Sequence, residues 1–116
     1  MYEYHGKLLR VVDGDTIDVI LDLGLRVRTK ARLRLVGVNT PEIYGKPKDT
    51  EEYQEGLRAK QLVEDWFVSN PKVVVKTQKD RTGKYGRWLA RVFPPNFDAA
   101  DSLNTVLCKA GWGDES

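Results

Sequence analysis

Hydrophobic and polar residues alternate along the first third of the chain in the way that β-strands require. Between residues 16 and 23 the apolar side chains of Ile17, Val19 and Leu21 fall on one face of an extended backbone. Turn residues precede this run, and Gly24 breaks it. Three strands are therefore predicted, over residues 7–12, 16–23 and 25–38.

The spacing of apolar residues changes to a helical one after Pro47. The apolar positions at this spacing are Tyr53, Leu57, Leu62, Val63, Trp66 and Phe67. Asp49 and Glu52 have the spacing of a capping box, which predicts the start of a helix. Asn70-Pro71 predicts its end, and Trp66 and Phe67 are expected in the core.

The last part of the chain predicts two further strands and a short helix. The strands cover residues 72–79 and 87–93 and flank a hairpin loop, and Trp88 is expected in the core. Leu103, Val106, Leu107 and Ala110 then follow helical spacing, with Gly111 as the cap. Three strands, a helix, two strands and a helix predict an α+β, mainly β fold, a five-stranded OB-fold barrel with two helices.

The composition agrees with one packed domain over residues 1–116. Hydrophobic residues make up 41% of the chain and charged residues 31%, so extensive disorder is not expected. No apolar run approaches the roughly 20 residues of a membrane helix, and no membrane association is expected. The single cysteine, Cys108, excludes an intramolecular disulfide. No leader pattern is visible, which favours a cytoplasmic or phage-encoded protein.

Charge is distributed unevenly although the net charge is only +2. One basic residue stands at every second position of the third predicted strand: Arg26, Arg28, Lys30, Arg32 and Arg34. Since side chains alternate faces along a strand, this basic row lies on one side of the sheet. Two interpretations remain open, a solvated strand face and a track for an anionic polymer.

Three segments carry residues suited to phosphodiester chemistry, which needs oxygen ligands for a hard cation, guanidinium groups and a carboxylate near a water molecule. They are Val12-Asp13-Gly14-Asp15-Thr16, Arg34-Leu35-Val36-Gly37-Val38-Asn39-Thr40-Pro41-Glu42 and Lys84-Tyr85-Gly86-Arg87-Trp88-Leu89-Ala90. In this order, with a helix between the second and third, they resemble the staphylococcal nuclease (thermonuclease) family. The resemblance runs from about residue 7 to about residue 112.

The resemblance implies a Ca²⁺-dependent endonuclease that cuts DNA and RNA, prefers single strands, has low sequence specificity and leaves 3′-phosphate ends. It implies catalytic roles for Arg34, Glu42 and Arg87. It places Ca²⁺ on Asp15, Asn39 and Thr40, the last through its backbone carbonyl. It gives Lys84 and Tyr85 contacts to the nucleotide. We expect a monomer.

The sequence departs from the family pattern at Asn39, where the family usually has aspartate. Since one negative charge is lost, we expect weaker Ca²⁺ binding, for which Asp13 or Asp18 would compensate if either faced the metal. The best-known family member also continues beyond the position of Trp112 into aromatic residues of a base pocket, so a different base preference is expected here.

Simpler interpretations exist for the same residues. The Asp-Gly-Asp-Thr segment is also typical of an ordinary turn, and Arg34 would also be satisfied by a salt bridge to a helix acid such as Glu52 or Glu55. A catalytically silent barrel that binds nucleic acid or protein is the alternative function, and Asn39 is the residue that favours it.

Overall fold

Five strands and two helices follow one another in the predicted order. The computed structural model describes residues 2–41, 43, 47–79, 88–96 and 101–113. The strands are β1 (Tyr2–Asp13), β2 (Thr16–Asp22), β3 (Arg28–Leu35), β4 (Val73–Lys79) and β5 (Trp88–Phe93), and the helices are α1 (Glu51–Ser69) and α2 (Leu103–Lys109). The predicted fold class is confirmed.

The strands form a closed barrel in the order β1-β2-β3-β5-β4. Four of the five pairings are antiparallel. The fifth closes the barrel by pairing β3 with β5 in parallel, over Leu33–Leu35 and Trp88–Ala90 only. The interior is filled by inward-facing aliphatic side chains from every strand, including the fully buried Ile17, Leu33 and Val75. The apolar positions of the alternating pattern therefore face the barrel interior, and the polar positions face outward.

β1 and β3 have bounds different from those predicted. β1 begins at Tyr2 rather than at residue 7, because residues 2–6 pair with β4. β3 begins at Arg28 rather than at residue 25, because a tight turn precedes it. Leu25 and Arg26 have φ angles of 53° and 66°, and the amide of Val27 donates to the Gly24 carbonyl at 2.9 Å, as in a type I′ turn. Arg26 therefore lies in a turn, outside the strand that carries the rest of the basic row.

Helix α1 packs across the end of β1 and covers one end of the barrel interior. Its N-cap is Thr50, whose Oγ1 accepts from the amide of Tyr53 at 3.3 Å, so the predicted cap at Asp49 is wrong by one residue. Trp66 and Phe67 are in the core as predicted, whereas Trp88 is exposed. No helix in the described ranges has the length and apolar character needed to span a membrane.

Helix α2 covers the closing pair of strands. It ends in a Schellman motif: the amide of Trp112 donates to Leu107, and that of Gly111, at a φ of 99°, donates to Cys108. The fully buried Asn104 donates from Nδ2 to the carbonyls of Val36 at 2.9 Å and Ala90 at 3.1 Å. Its Oδ1 accepts from the amide of Val92 at 3.0 Å. One amide side chain thus joins α2, β5 and the end of β3.

Replacing Asn104 by leucine should destabilise the fold by about 3 kcal/mol, because it leaves buried backbone groups of Val36 and Val92 without their partner. The measurement is urea unfolding at constant slope. A loss below about 1 kcal/mol would contradict the account, since that is the worth of a single ordinary hydrogen bond.

Candidate active site

Asp15 lies in the tight turn between β1 and β2, and the backbone there fixes its position. Its carbonyl accepts from the amide of Leu35 at 2.9 Å, which joins the turn to the end of β3. The preceding Gly14 is buried. A Cβ built on it would lie 2.7 Å from the Ala59 Cβ and 2.9 Å from Thr40 side-chain atoms. Glycine is therefore required for the turn to approach helix α1 so closely.

The Asp15 carboxylate is the meeting point of three chain segments. Its Oδ2 lies 3.2 Å from Nη1 of Arg34 and 3.4 Å from the amide nitrogen of Thr40. Its Oδ1 accepts from the hydroxyl of Thr16 at 3.1 Å. The structure thus brings Asp15, Arg34 and Thr40 together, although they lie up to 25 residues apart in sequence.

Arg34 is held by two oxygen atoms and remains partly accessible. Nη1 donates to the Val38 carbonyl at 2.7 Å in addition to its contact with Asp15, and the side chain is 26% exposed. Arg34 does not form the alternative salt bridge to a helix acid that the sequence left open. Glu55, one of the two candidate acids, pairs with Arg58 at 2.6 Å. A guanidinium has five donors, and both contacts use Nη1, so other donors are left for an anion.

Asn39 and Thr40 follow the end of β3 and have different environments. Asn39 is exposed, and its backbone N–H donates to the Trp112 carbonyl at 2.9 Å. Thr40 is buried, and its Oγ1 has no hydrogen-bond partner among the residues that the structure describes. The segment after α2 therefore fixes the backbone of residues 38–40, next to Asp15.

Asp18, one of two residues that would compensate for Asn39 if it faced the metal, is held by two arginines. Its carboxylate faces outward and is bound by Arg32, at 2.8 Å, and by Arg10, at 3.2 Å. The hydrogen bond from Arg32 holds the pKa of Asp18 below its ordinary value of 3.8 against the opposing effect of burial, so this carboxylate is ionised at neutral pH. Asp13 ends β1 and pairs with Thr16 in the strand register.

Four of the predicted site residues, Glu42, Lys84, Tyr85 and Arg87, lie outside the described residues. Their described neighbours are informative. The Pro41 carbonyl and the Ile43 side chain lie against Gly56 of α1, where an added Cβ would come within 2.8 Å of both. Trp88 pairs with Leu33, directly before Arg34.

Two backbone carbonyls that build the site were missed by the sequence reasoning. Val38 accepts from Arg34, and Trp112 accepts from Asn39. Backbone acceptors leave no signal in the side-chain pattern. In the described ranges no three His, Cys, Asp or Glu side chains converge as metal ligands.

Comparison with known proteins assigns the family. The model of the family described as staphylococcal nuclease homologue matches residues 32–114. The chain belongs to this family. The match includes the Arg34–Thr40 segment and the β4–β5 region, and Asp15 precedes it.

Several known proteins match most of the chain. The uncharacterized protein MJ1439 of Methanocaldococcus jannaschii is 33% identical over 94% of this chain and 58% of its own length. Endonuclease YhcR of Bacillus subtilis is 32% identical over 95% of this chain and 9% of its own length. Thermonuclease of Staphylococcus hyicus is 34% identical over 90% of this chain and 55% of its own length. The chain thus spans less than two thirds of each of these relatives.

Thr40→Val should leave stability unchanged or raise it by about 1 kcal/mol, because it removes a buried hydroxyl that has no partner in the described part of the chain. Thermal unfolding measures the change. A loss of more than about 1 kcal/mol would show that Oγ1 makes a bond that this geometry does not contain.

Proposed function

We propose that this staphylococcal nuclease family chain is a Ca²⁺-dependent endonuclease that hydrolyses DNA and RNA. The observation that carries the proposal is the position of the Arg34 guanidinium, 3.2 Å from the Asp15 carboxylate and partly exposed. A phosphate-binding group then stands beside an oxygen ligand of a hard cation. The names of two relatives, an endonuclease and a thermonuclease, support the same activity.

In the proposed reaction a water oxygen forms a bond to phosphorus while the bond to the 5′-oxygen breaks, which leaves a 3′-phosphate and a 5′-hydroxyl. Arg34 binds the phosphoryl oxygens with donors that its contacts to Asp15 and Val38 leave unused. Because those contacts fix the guanidinium beforehand, it needs no reorganisation as charge develops. Glu42 orients the water, and Arg87 adds a second guanidinium.

The residues near Asp15 fit Ca²⁺ by their chemistry. Ca²⁺ binds carboxylate, amide and backbone carbonyl oxygens. Asp15 offers the first kind, Asn39 the second and the backbone of Thr40 the third, and the Thr40 amide already lies 3.4 Å from Asp15. When bound, the ion would supply positive charge to the phosphoryl oxygens. With Asn39 in place of an acid, the proposed site has low negative charge and weak affinity.

We propose single-stranded or frayed nucleic acid as the preferred substrate, with Lys84 and Tyr85 contacting the nucleotide next to the cleaved bond. A flexible single strand bends into a site at the end of a barrel more easily than a stiff duplex does. The alternative function, a silent binding barrel, is favoured by Asn39 and predicts binding without cleavage.

The first test is cleavage of an end-labelled single-stranded oligonucleotide with Ca²⁺ and with EDTA. We expect cleavage only with Ca²⁺, and Arg34→Ala and Glu42→Ala should each lower its rate by roughly 10²-fold or more, by analogy with the loss of one oxyanion donor. Analysis of the ends should show 3′-phosphates.

Arg58→Ala is the matched control, because Arg58 is an exposed arginine that pairs with Glu55 on its own helix. It should cleave at the wild-type rate. Folding of each variant is checked by its thermal unfolding. Oligonucleotide binding without any cleavage by the wild-type chain would reject the proposal in favour of the silent barrel.

A calcium titration of Asn39→Asp tests the metal site separately. The variant restores one carboxylate at an exposed position beside Thr40, so Ca²⁺ affinity should rise about tenfold or more, as expected for an added negative ligand. Asn39→Ser, which adds no charge, is the control. An Asn39→Asp variant with unchanged affinity would place the ion away from Asn39.

A further inference from the structure

The outer face of the β1-β2-β3 sheet carries rows of side chains that run across the three strands. The register defines four rows: His5, Asp22 and Arg28; Lys7, Ile20 and Lys30; Arg10, Asp18 and Arg32; and Asp13, Thr16 and Arg34. The residues between them, such as Val19 and Leu33, are buried in the barrel. Apart from Thr16, which is buried, the rows form one outward surface, which we call the basic face and which ends at the candidate active site.

The second row is the most positive part of the basic face. Lys7 and Lys30 flank Ile20, both lysines are exposed, and neither forms an ion pair with a described residue. Because each lysine is paired with Ile20 on the strand between them, the two lysines are two strand spacings, about 10 Å, apart. Their charges add to one positive potential over the row, which attracts an anion.

The third row is partly neutralised. Asp18 is shared by Arg32, at 2.8 Å, and Arg10, at 3.2 Å. Two guanidinium groups on one carboxylate leave a net charge of one positive unit. The row therefore stays attractive to an anion, with its arginines held in place beforehand.

A cleft lies at the end of the basic face that is farthest from Arg34. It has a volume of about 350 Å³, and Gly6 and Ile20 are among the residues that line it. The charged or titratable residues around it are His5, Lys7, Asp22, Arg28 and Lys72. Cations thus continue from the site to the far end of the sheet, on a chain whose net charge is only +2.

We propose that the basic face is a track for single-stranded nucleic acid that leads into the Arg34 site. The proposal rests on the proposed nuclease function and adds the path of the substrate. Successive rows are two residues apart, about 6.8 Å along a strand, a step that an extended nucleic-acid backbone can match with one phosphate per row. Three rows lie beyond that of Arg34. The half-buried Ile20 offers apolar contact to sugars and bases between the lysines.

The test compares binding of a fluorescent single-stranded 20-nucleotide DNA in EDTA, at several salt concentrations, between the wild-type chain and Lys7→Gln/Lys30→Gln. The double variant should bind about tenfold more weakly at 0.1 M salt, and the slope of log K against log salt should be shallower by about 1.4, since each lost phosphate contact on a single strand contributes about 0.7.

Two further variants sharpen the comparison. Lys76→Gln/Lys109→Gln removes the same charge from β4 and α2, and it should change affinity much less. Asp18→Asn releases Arg10 and Arg32 from their shared carboxylate, and it should strengthen binding. Equal losses in both lysine pairs would overturn the track, because they would reflect net charge alone.

Cleavage separates this proposal from the nuclease function itself. With Ca²⁺, Lys7→Gln/Lys30→Gln should lower kcat/KM for the 20-mer about tenfold and leave that for a dinucleotide unchanged. Failure of the nuclease function would appear as no cleavage by any variant, with the binding differences intact. Unchanged binding of the 20-mer by the double variant would overturn the track. If the same variant bound anionic phospholipid vesicles more weakly, the basic face would instead recognise a membrane surface.

Discussion

Closure of the barrel between β3 and β5 is the constraint on which the rest of the structure depends. The parallel contact extends over three residue pairs, and the buried amide of Asn104 supports it from helix α2 by bonding to the backbones of Val36, Ala90 and Val92. Parallel pairs are slightly less stable per residue than antiparallel ones, so a contact this short depends on the support from Asn104. The pairing of β3 with β5 places Arg34 beside the start of β5. The chain after β3 then turns back toward Asp15, which the Thr40 amide contacts.

The second constraint is the mutual compensation of Asp15 and Arg34. A partly buried carboxylate and guanidinium each need a partner, and here the Thr40 amide and the Val38 carbonyl complete the set. The pair has a net charge of zero, which makes it stable without ligand. Under the proposed function, a phosphate would bind to the guanidinium and a cation to the carboxylate, so each ligand would supply the charge that the other displaces from this pair.

The sequence predicted the order of elements because the periods of two and 3.6 are distinct and the breaks at Gly24 and Asn70-Pro71 are clear. It misplaced details that depend on tertiary contacts. Asp49 and Thr50 are both good caps, and the local path of the chain selects Thr50. Trp88 is exposed because it is the first residue of β5, where the short pairing with β3 begins. The family resemblance placed Asp15 and Arg34 in one site but did not predict their ion pair, and the Val38 carbonyl that also binds Arg34 has no signal in the sequence.

The basic row shows that a periodic charge pattern in a sequence does not tell which cations can bind a ligand until the pairing of the strands is known. Arg32, Lys30 and Arg34 occupy equivalent positions along β3, yet β2 gives each a different partner. Arg32 faces Asp18 and is bound by it, Lys30 faces Ile20, and Arg34 faces Thr16 and reaches Asp15. Because an ion pair on the surface contributes little to stability, the pairing chiefly decides which cations remain available to a ligand. Availability is higher at Lys30 than at Arg32 and Arg34, which are already paired, so the strand that looks uniform in sequence carries cations that are unequally available to a ligand.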